Sequence, residues 1–144
     1  MATANAALVD LSELVKHALD QGITQVQAAG SPLHPLLFDD TGKMMILFDE
    51  SGQVDPMALA CHAIKNNCAE TKHCALTIDT RITFTDGKQW DAIVVMSCVR
   101  GSDEGAVWAQ RYVPKGLFRK FRTEGEPEQI GKAKDFITVA LSDD

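Results

Sequence analysis

No apolar run in this chain approaches the roughly 20 residues that cross a bilayer, so no spanning helix is expected and the protein reads as soluble. The opening MATANAALVDLSELV lacks a basic stretch ahead of an apolar one. A secretory signal is therefore not expected, and a reducing cytoplasm is the expected home. Glycine-rich phosphate loops and nucleophile elbows are missing, which removes the usual sequence marks of nucleotide binding and serine hydrolysis. Cys-x-x-Cys and His-x₃₋₅-His pairs are missing too. Structural zinc normally draws its ligands from such closely spaced pairs, so no metal is expected. The four histidines are scattered, and the carboxylate pairs Asp39/Asp40 and Asp49/Glu50 flank turns, where solvated acids are ordinary. No cofactor follows from any of these residues, and catalysis is not favoured.

Acid is missing from one place in particular. The chain holds 14 Lys and Arg against 20 Asp and Glu, a net charge of −6. Residues 105–123 nevertheless carry five cations and no acid, leaving the remainder at −11. Within that segment QRYVPKGLFRKFR interleaves cations with Tyr112, Phe118 and Phe121. Such a mixture suits an anionic ligand, and Arg111, Tyr112, Lys115, Arg119 and Lys120 are its candidate ligand-binding residues. The overall negative charge disfavours nucleic acid as a partner.

At 144 residues the chain fits one domain, 1–144, able to bury about two-thirds of its unfolded surface. Asp10 as N-cap, Glu13 three residues on, and Val9 facing Leu14 predict a helix start, with Leu11, Leu14, Val15 and Ala18 on its inner face. Gly22 is the expected end, and Gly30, Pro32 and Pro35 argue against a long element beyond it. LLFDDTGKMMILF and FTDGKQWDAIVVM both read as hairpins whose loops end in Gly-Lys. A three-residue loop closes on a left-handed residue, which suits Gly42 and Gly87. For the second hairpin a loop of Thr85, Asp86 and Gly87 pairs Leu76 with Met96, Ile78 with Val94, Ile82 with Trp90 and Arg81 with Asp91, whereas a two-residue loop would mix the faces. A helix opened by Asp55 and Pro56, closing near Asn66 and Asn67, separates the hairpins. AVWAQRYVP is a further strand ended by Pro114. Ile130, Ala133, Ile137 and Leu141 recur at helical spacing, so 128–141 is expected as a helix, with a strand the less favoured reading because FITVAL also suits a strand and Gly131 weakens a helix.

The stretch CHAIKNNCAETKHC gathers three of the four cysteines. Met57, Cys61, Ile64 and Cys68 form one helical stripe, so Cys61 and Cys68 are expected in the core, and His62 points away from them. The hairpin register makes Cys74 and Cys98 cross-strand neighbours. Buried thiols acting as small hydrophobes are the expected state of all four, with a regulatory pair at 74 and 98 the less favoured reading.

TDGKQWDAIVV followed by RGSDEGAVWAQRYVPK resembles a group of small uncharacterised bacterial proteins. The shared features are the glycine turn, Arg-Gly, Glu-Gly and Ala-Gln-Arg-Tyr before a proline. The resemblance covers about the middle third and implies no activity and no catalytic residue.

Together these features predict an α+β domain in the order α-β-β-α-β-β-β-α, with a five-stranded antiparallel sheet and its helices on one face. Ile93, Val95 and Val99 leave the other face apolar, to be covered by a second subunit of a homodimer or by the C-terminal segment. A non-enzymatic binding or assembly module is the leading expectation. The alternative is a binding protein or enzyme for a small anionic or phosphate-containing ligand held by the 111–122 segment, with no membrane involved.

Overall fold

A computed structural model describes residues 10–30, 33–48 and 55–142. Among these, three helices and six strands run in the order α1 (Leu11–Ala29), β1 (Leu36–Phe38), β2 (Met44–Ile46), α2 (Pro56–Asn67), β3 (His73–Thr83), β4 (Gln89–Val99), β5 (Gly105–Val113), β6 (Arg122–Ala133) and α3 (Phe136–Leu141). The strands form one antiparallel sheet in the order β2-β1-β3-β4-β5-β6. The class is α+β, with one strand more than the sequence predicts.

Both hairpin expectations hold. Leu76 faces Met96, Ile78 faces Val94, Ile82 faces Trp90 and Arg81 faces Asp91. Phe84 and Lys88 close the loop, and Gly87 at its end has φ 80°. The first hairpin repeats the design: Asp39 and Lys43 close a loop ending in Gly42 at φ 85°. The Asp39 carboxylate accepts from the Thr41 and Lys43 amides, so the side chain organises its own turn.

Helix α1 runs past its expected end. Gly22 lies inside it, and the helix stops only at Gly30, whose φ of 88° suits glycine. Gly22 is there for space: a Cβ would sit 2.7 Å from Ile93 Cγ2 and 2.9 Å from Thr77 Cγ2, so the helix touches the sheet at that point. The expected capping box does not form, as Asp10 makes no side-chain cap bond and instead accepts from the Ser12 hydroxyl. Val9, the other half of the expected staple, lies outside the described residues.

The largest correction concerns 128–141. Residues 122–133 form β6 against the free edge of β5, and only Phe136–Leu141 is helical. An uncovered β5 would present a row of unpaired N–H and C=O groups, and pairing them outweighs the fortuitous helical spacing of Ile130 and Ala133. Strand β6 is largely solvent-exposed, so no alternation of apolar residues marks it in the sequence. Asp135 then caps α3, accepting from the Thr138 amide and hydroxyl.

The helices also lie on both faces of the sheet instead of one. Leu14, Ala18 and Val26 of α1 pack on Ile93 and Val95 of β4, with Leu36, Phe38 and Ala75 beside them. The apolar second face that suggested a partner subunit is therefore covered by the chain's own first helix. On the opposite face α2 and α3 pack on Leu76, Cys74 and Cys98. Farther along that face Phe84, Ala92, Val94 and Ala109 make a smaller cluster with Trp90 at its edge.

Candidate binding surfaces

A single helix about 10 Å across cannot cover six strands spaced about 4.8 Å apart. Helix α1 lies over β1, β3 and β4, and the sheet continues beyond it on the β5 side. The result is a groove of about 600 Å³. One wall is Leu11, Val15, Leu19 and Ile23; the floor includes Ala106 and Trp108 of β5, with Pro127 of β6 at the far side.

The helix wall has a simple origin. Leu14, Ala18, Gly22 and Val26 repeat at i+4 and form the buried ridge, while Leu11, Val15, Leu19 and Ile23 repeat at i+4 one row over. The second row serves both sides: Val15 and Leu19 are buried in the same cluster as the ridge, and their outer edges, with the half-buried Leu11 and Ile23, line the groove. Most of that second row is legible in the sequence, since Leu11, Val15 and Leu19 precede Gly22; only Ile23 is added once α1 is taken to Ala29.

Two polar groups of the floor are bonded within the protein. The Ser97 hydroxyl donates to the Ala106 carbonyl and accepts from the Ala106 amide, both at 3.1 Å. Gln110 is buried and its amide nitrogen donates to the carbonyls of Arg111, Glu124 and Gly125, bridging the irregular β5–β6 register. What the floor offers is therefore hydrocarbon and indole surface. Lys16, Asp20 and Glu104 stand at the mouth and supply charges of both signs.

The five expected ligand-binding residues do not converge. Arg111 lies on the face away from α1, bonded at 2.9 Å to Asp86 and at 2.9 Å to Glu128, with its guanidinium 4.1 Å from the Phe84 ring centre and 5.5 Å from that of Trp90. Tyr112, one residue on, points to the α1 face, is buried, and donates to Asp79 Oδ1 at 2.6 Å. Phe121 packs on its ring at 5.5 Å. Lys115, Arg119 and Lys120 lie in the loop joining β5 to β6, where no ion pair with them occurs among the described residues. Two of the five thus brace the hairpin, and three stand at its tip.

All four cysteines are free thiols. Cys74 and Cys98 are paired in register, fully buried, with sulfurs 3.7 Å apart. Their shared hydrogen bond pushes Cys74 well up and draws Cys98 down, and burial adds to the first effect while opposing the second. Backbone N–H groups of Ile137 and Phe136 further favour a thiolate at Cys98. Cys61 and Cys68 are only half-buried, at the edge of the core and not in it. Burial raises Cys61, which donates to the Phe136 carbonyl. Cys68 is pushed up to about 11 by burial, with Asp39 and Asp40 contributing. His62 points toward Asn66 on the next turn of α2. Among the described residues, no three His, Cys, Asp or Glu side chains group as a metal ion would need.

No protein-family model, curated protein or solved structure matches the chain.

Proposed function

We propose that the protein is a non-enzymatic binding module that holds an apolar, chain-like small molecule in the groove between α1 and β5. The observation that carries this reading is the second apolar row of α1, Leu11, Val15, Leu19 and Ile23, lining a cleft with Trp108, in which the Ser97 hydroxyl and the Gln110 amide nitrogen are bonded within the protein. The volume falls within the roughly 300–1,000 Å³ of small-molecule sites. Twelve residues of helix separate Leu11 from Ile23, about 18 Å at helical rise, so the cleft is longer than a compact ring requires. Charges at the mouth leave the body of the ligand to be recognised by apolar contact and a polar end by Lys16, Asp20 or Glu104.

A small anionic ligand at the 111–122 segment fits the geometry less well, because Arg111 is neutralised by two carboxylates and Tyr112 faces the other side of the sheet.

Thermal unfolding with a series of straight-chain alcohols, compared with indole and with inorganic phosphate, tests the reading. Ligands that bind the native state raise the unfolding temperature by mass action. Stabilisation that grows with chain length and disappears in Ala106→Phe, which fills the floor, is the expected result. Stabilisation by phosphate alone would favour the anionic alternative, and none by any alcohol would remove the groove as the site.

A further inference from the structure

The most exposed apolar residues of the described chain sit side by side. Leu117 is 89% exposed and Phe118 is 94% exposed. They occupy the two central positions of a tight turn closed by Gly116 and Arg119, whose backbone groups pair at 3.0 Å. Two adjacent large apolar side chains at a turn tip add nothing to the core and together form an exposed patch of the kind that marks a contact surface. Around them stand Lys115, Arg119 and Lys120, all exposed and without an ion pair among the described residues. Below the tip the loop is anchored: Phe121 packs on Tyr112, and Tyr112 is fixed to Asp79. Arg122 is held by Glu124. The structure thus presents an apolar point with a cationic collar on a braced stem.

We propose that this tip docks on an anionic lipid bilayer, with Leu117 and Phe118 entering the acyl boundary and Lys115, Arg119 and Lys120 meeting the headgroups. Charge complementarity chooses the partner. Of the five cations in the acid-free segment, Arg111 and Arg122 are paired with carboxylates, which leaves Lys115, Arg119 and Lys120 as the charge of the tip in a chain of net charge −6, so an anionic surface attracts the tip and repels the rest, which orients the approach. Hydrocarbon depth suits the pair better than nucleic acid does. Base stacking needs successive accessible rings, whereas Phe121 and Tyr112 stack on each other and leave only Phe118 free. No described helix is long and apolar enough to cross a membrane, so the contact is peripheral.

Co-sedimentation of the full chain with vesicles tests the proposal. One set is phosphatidylcholine alone and the other has about a third phosphatidylglycerol, both in about 0.1 M salt, where the Debye length is about 10 Å. Binding to the anionic vesicles only, weakened about tenfold or more in Leu117→Ser/Phe118→Ser and in Lys115→Gln/Arg119→Gln/Lys120→Gln, is the expected result. All five positions are surface sites, and an unchanged thermal melt confirms that each variant folds. Four outcomes would overturn it: no binding to the anionic vesicles; binding that survives the loss of Leu117 and Phe118; displacement from vesicles by millimolar inorganic phosphate, which would mark a free-anion site; or preference for a short single-stranded oligonucleotide over the vesicles.

Discussion

Gly22 and Ile93 touch across the interface between α1 and the sheet so closely that a Cβ on the glycine would lie 2.7 Å from the isoleucine Cγ2. The contact fixes how near the helix sits to β4, and through that the width of the groove beside it. Gly22→Ala is expected to destabilise the fold by about 1–3 kcal/mol, the usual cost of overpacking, even though alanine is the better helix former. Gly131 on β6 has no atom within 4 Å of such a Cβ. Gly131→Ala serves as the control and should leave the urea midpoint unchanged or slightly raised.

Tyr112 reaches Asp79 over β4, and Asp79 also accepts from the Leu33 amide at 3.0 Å. The bond ties β5 to β3 and to the chain entering β1. Tyr112→Phe keeps the buried ring and its packing on Phe121 while leaving a carboxylate oxygen without that donor. A loss of about 1–3 kcal/mol is expected in equilibrium unfolding.

Arg111 is held by geometry as well as charge, forked between Asp86 and Glu128 and lying over Phe84 and Trp90. Lysine cannot reproduce a planar fork. Arg111→Lys should therefore lower the melting temperature nearly as much as Arg111→Ala, and both should alter Trp90 fluorescence. Full recovery with lysine would show that charge alone matters there.

The thiols should separate by reactivity. Cys74 and Cys98 are expected to resist alkylation until the protein unfolds, since neither is exposed. Cys68 is half-exposed but held protonated up to about 11, so its alkylation should accelerate with pH well past the usual thiol range. The sign for stability follows. The folded chain keeps this proton to higher pH than the unfolded chain, so the contribution is present at neutral pH and is lost as pH rises toward 11.

Asp135 behaves in the opposite sense. Burial raises its pKa, but hydrogen bonds from Thr138, Gly101 and Ile137 outweigh that and hold it below the usual carboxylate value. Its stabilising effect is present above the unfolded pKa and is lost as pH falls through the folded one. Asp135→Ala should cost about 1 kcal/mol at neutral pH, as for a lost cap, and the difference from the native chain should shrink in acid.

How much of this was legible depended on whether a segment buries an alternating face. Strands β3 and β4 do, and pairs from Leu76/Met96 to Ile82/Trp90 follow from the sequence together with the loop that joins them. Strand β6 does not: its residues are mostly solvated on both sides, and only the need of β5 for a partner accounts for it. Gly22 misleads for a related reason. A glycine chosen for close approach to Ile93 looks, in one dimension, like a glycine chosen to end a helix. Charge pattern alone also could not show that Arg111 and Tyr112 point to opposite faces, because that follows from strand alternation once β5 is in place.

An apolar ligand is expected in the cleft beside α1 and not on the opposite face of the sheet. Methyl NMR of the chain during titration with a straight-chain alcohol tests it most directly. Progressive shifts at Leu11, Val15, Leu19 and Ile23, with Ile78 and Ile82 unmoved, are the expected result. Shifts confined to Ile78 and Ile82, or none at any methyl as the alcohol approaches saturation, would contradict it.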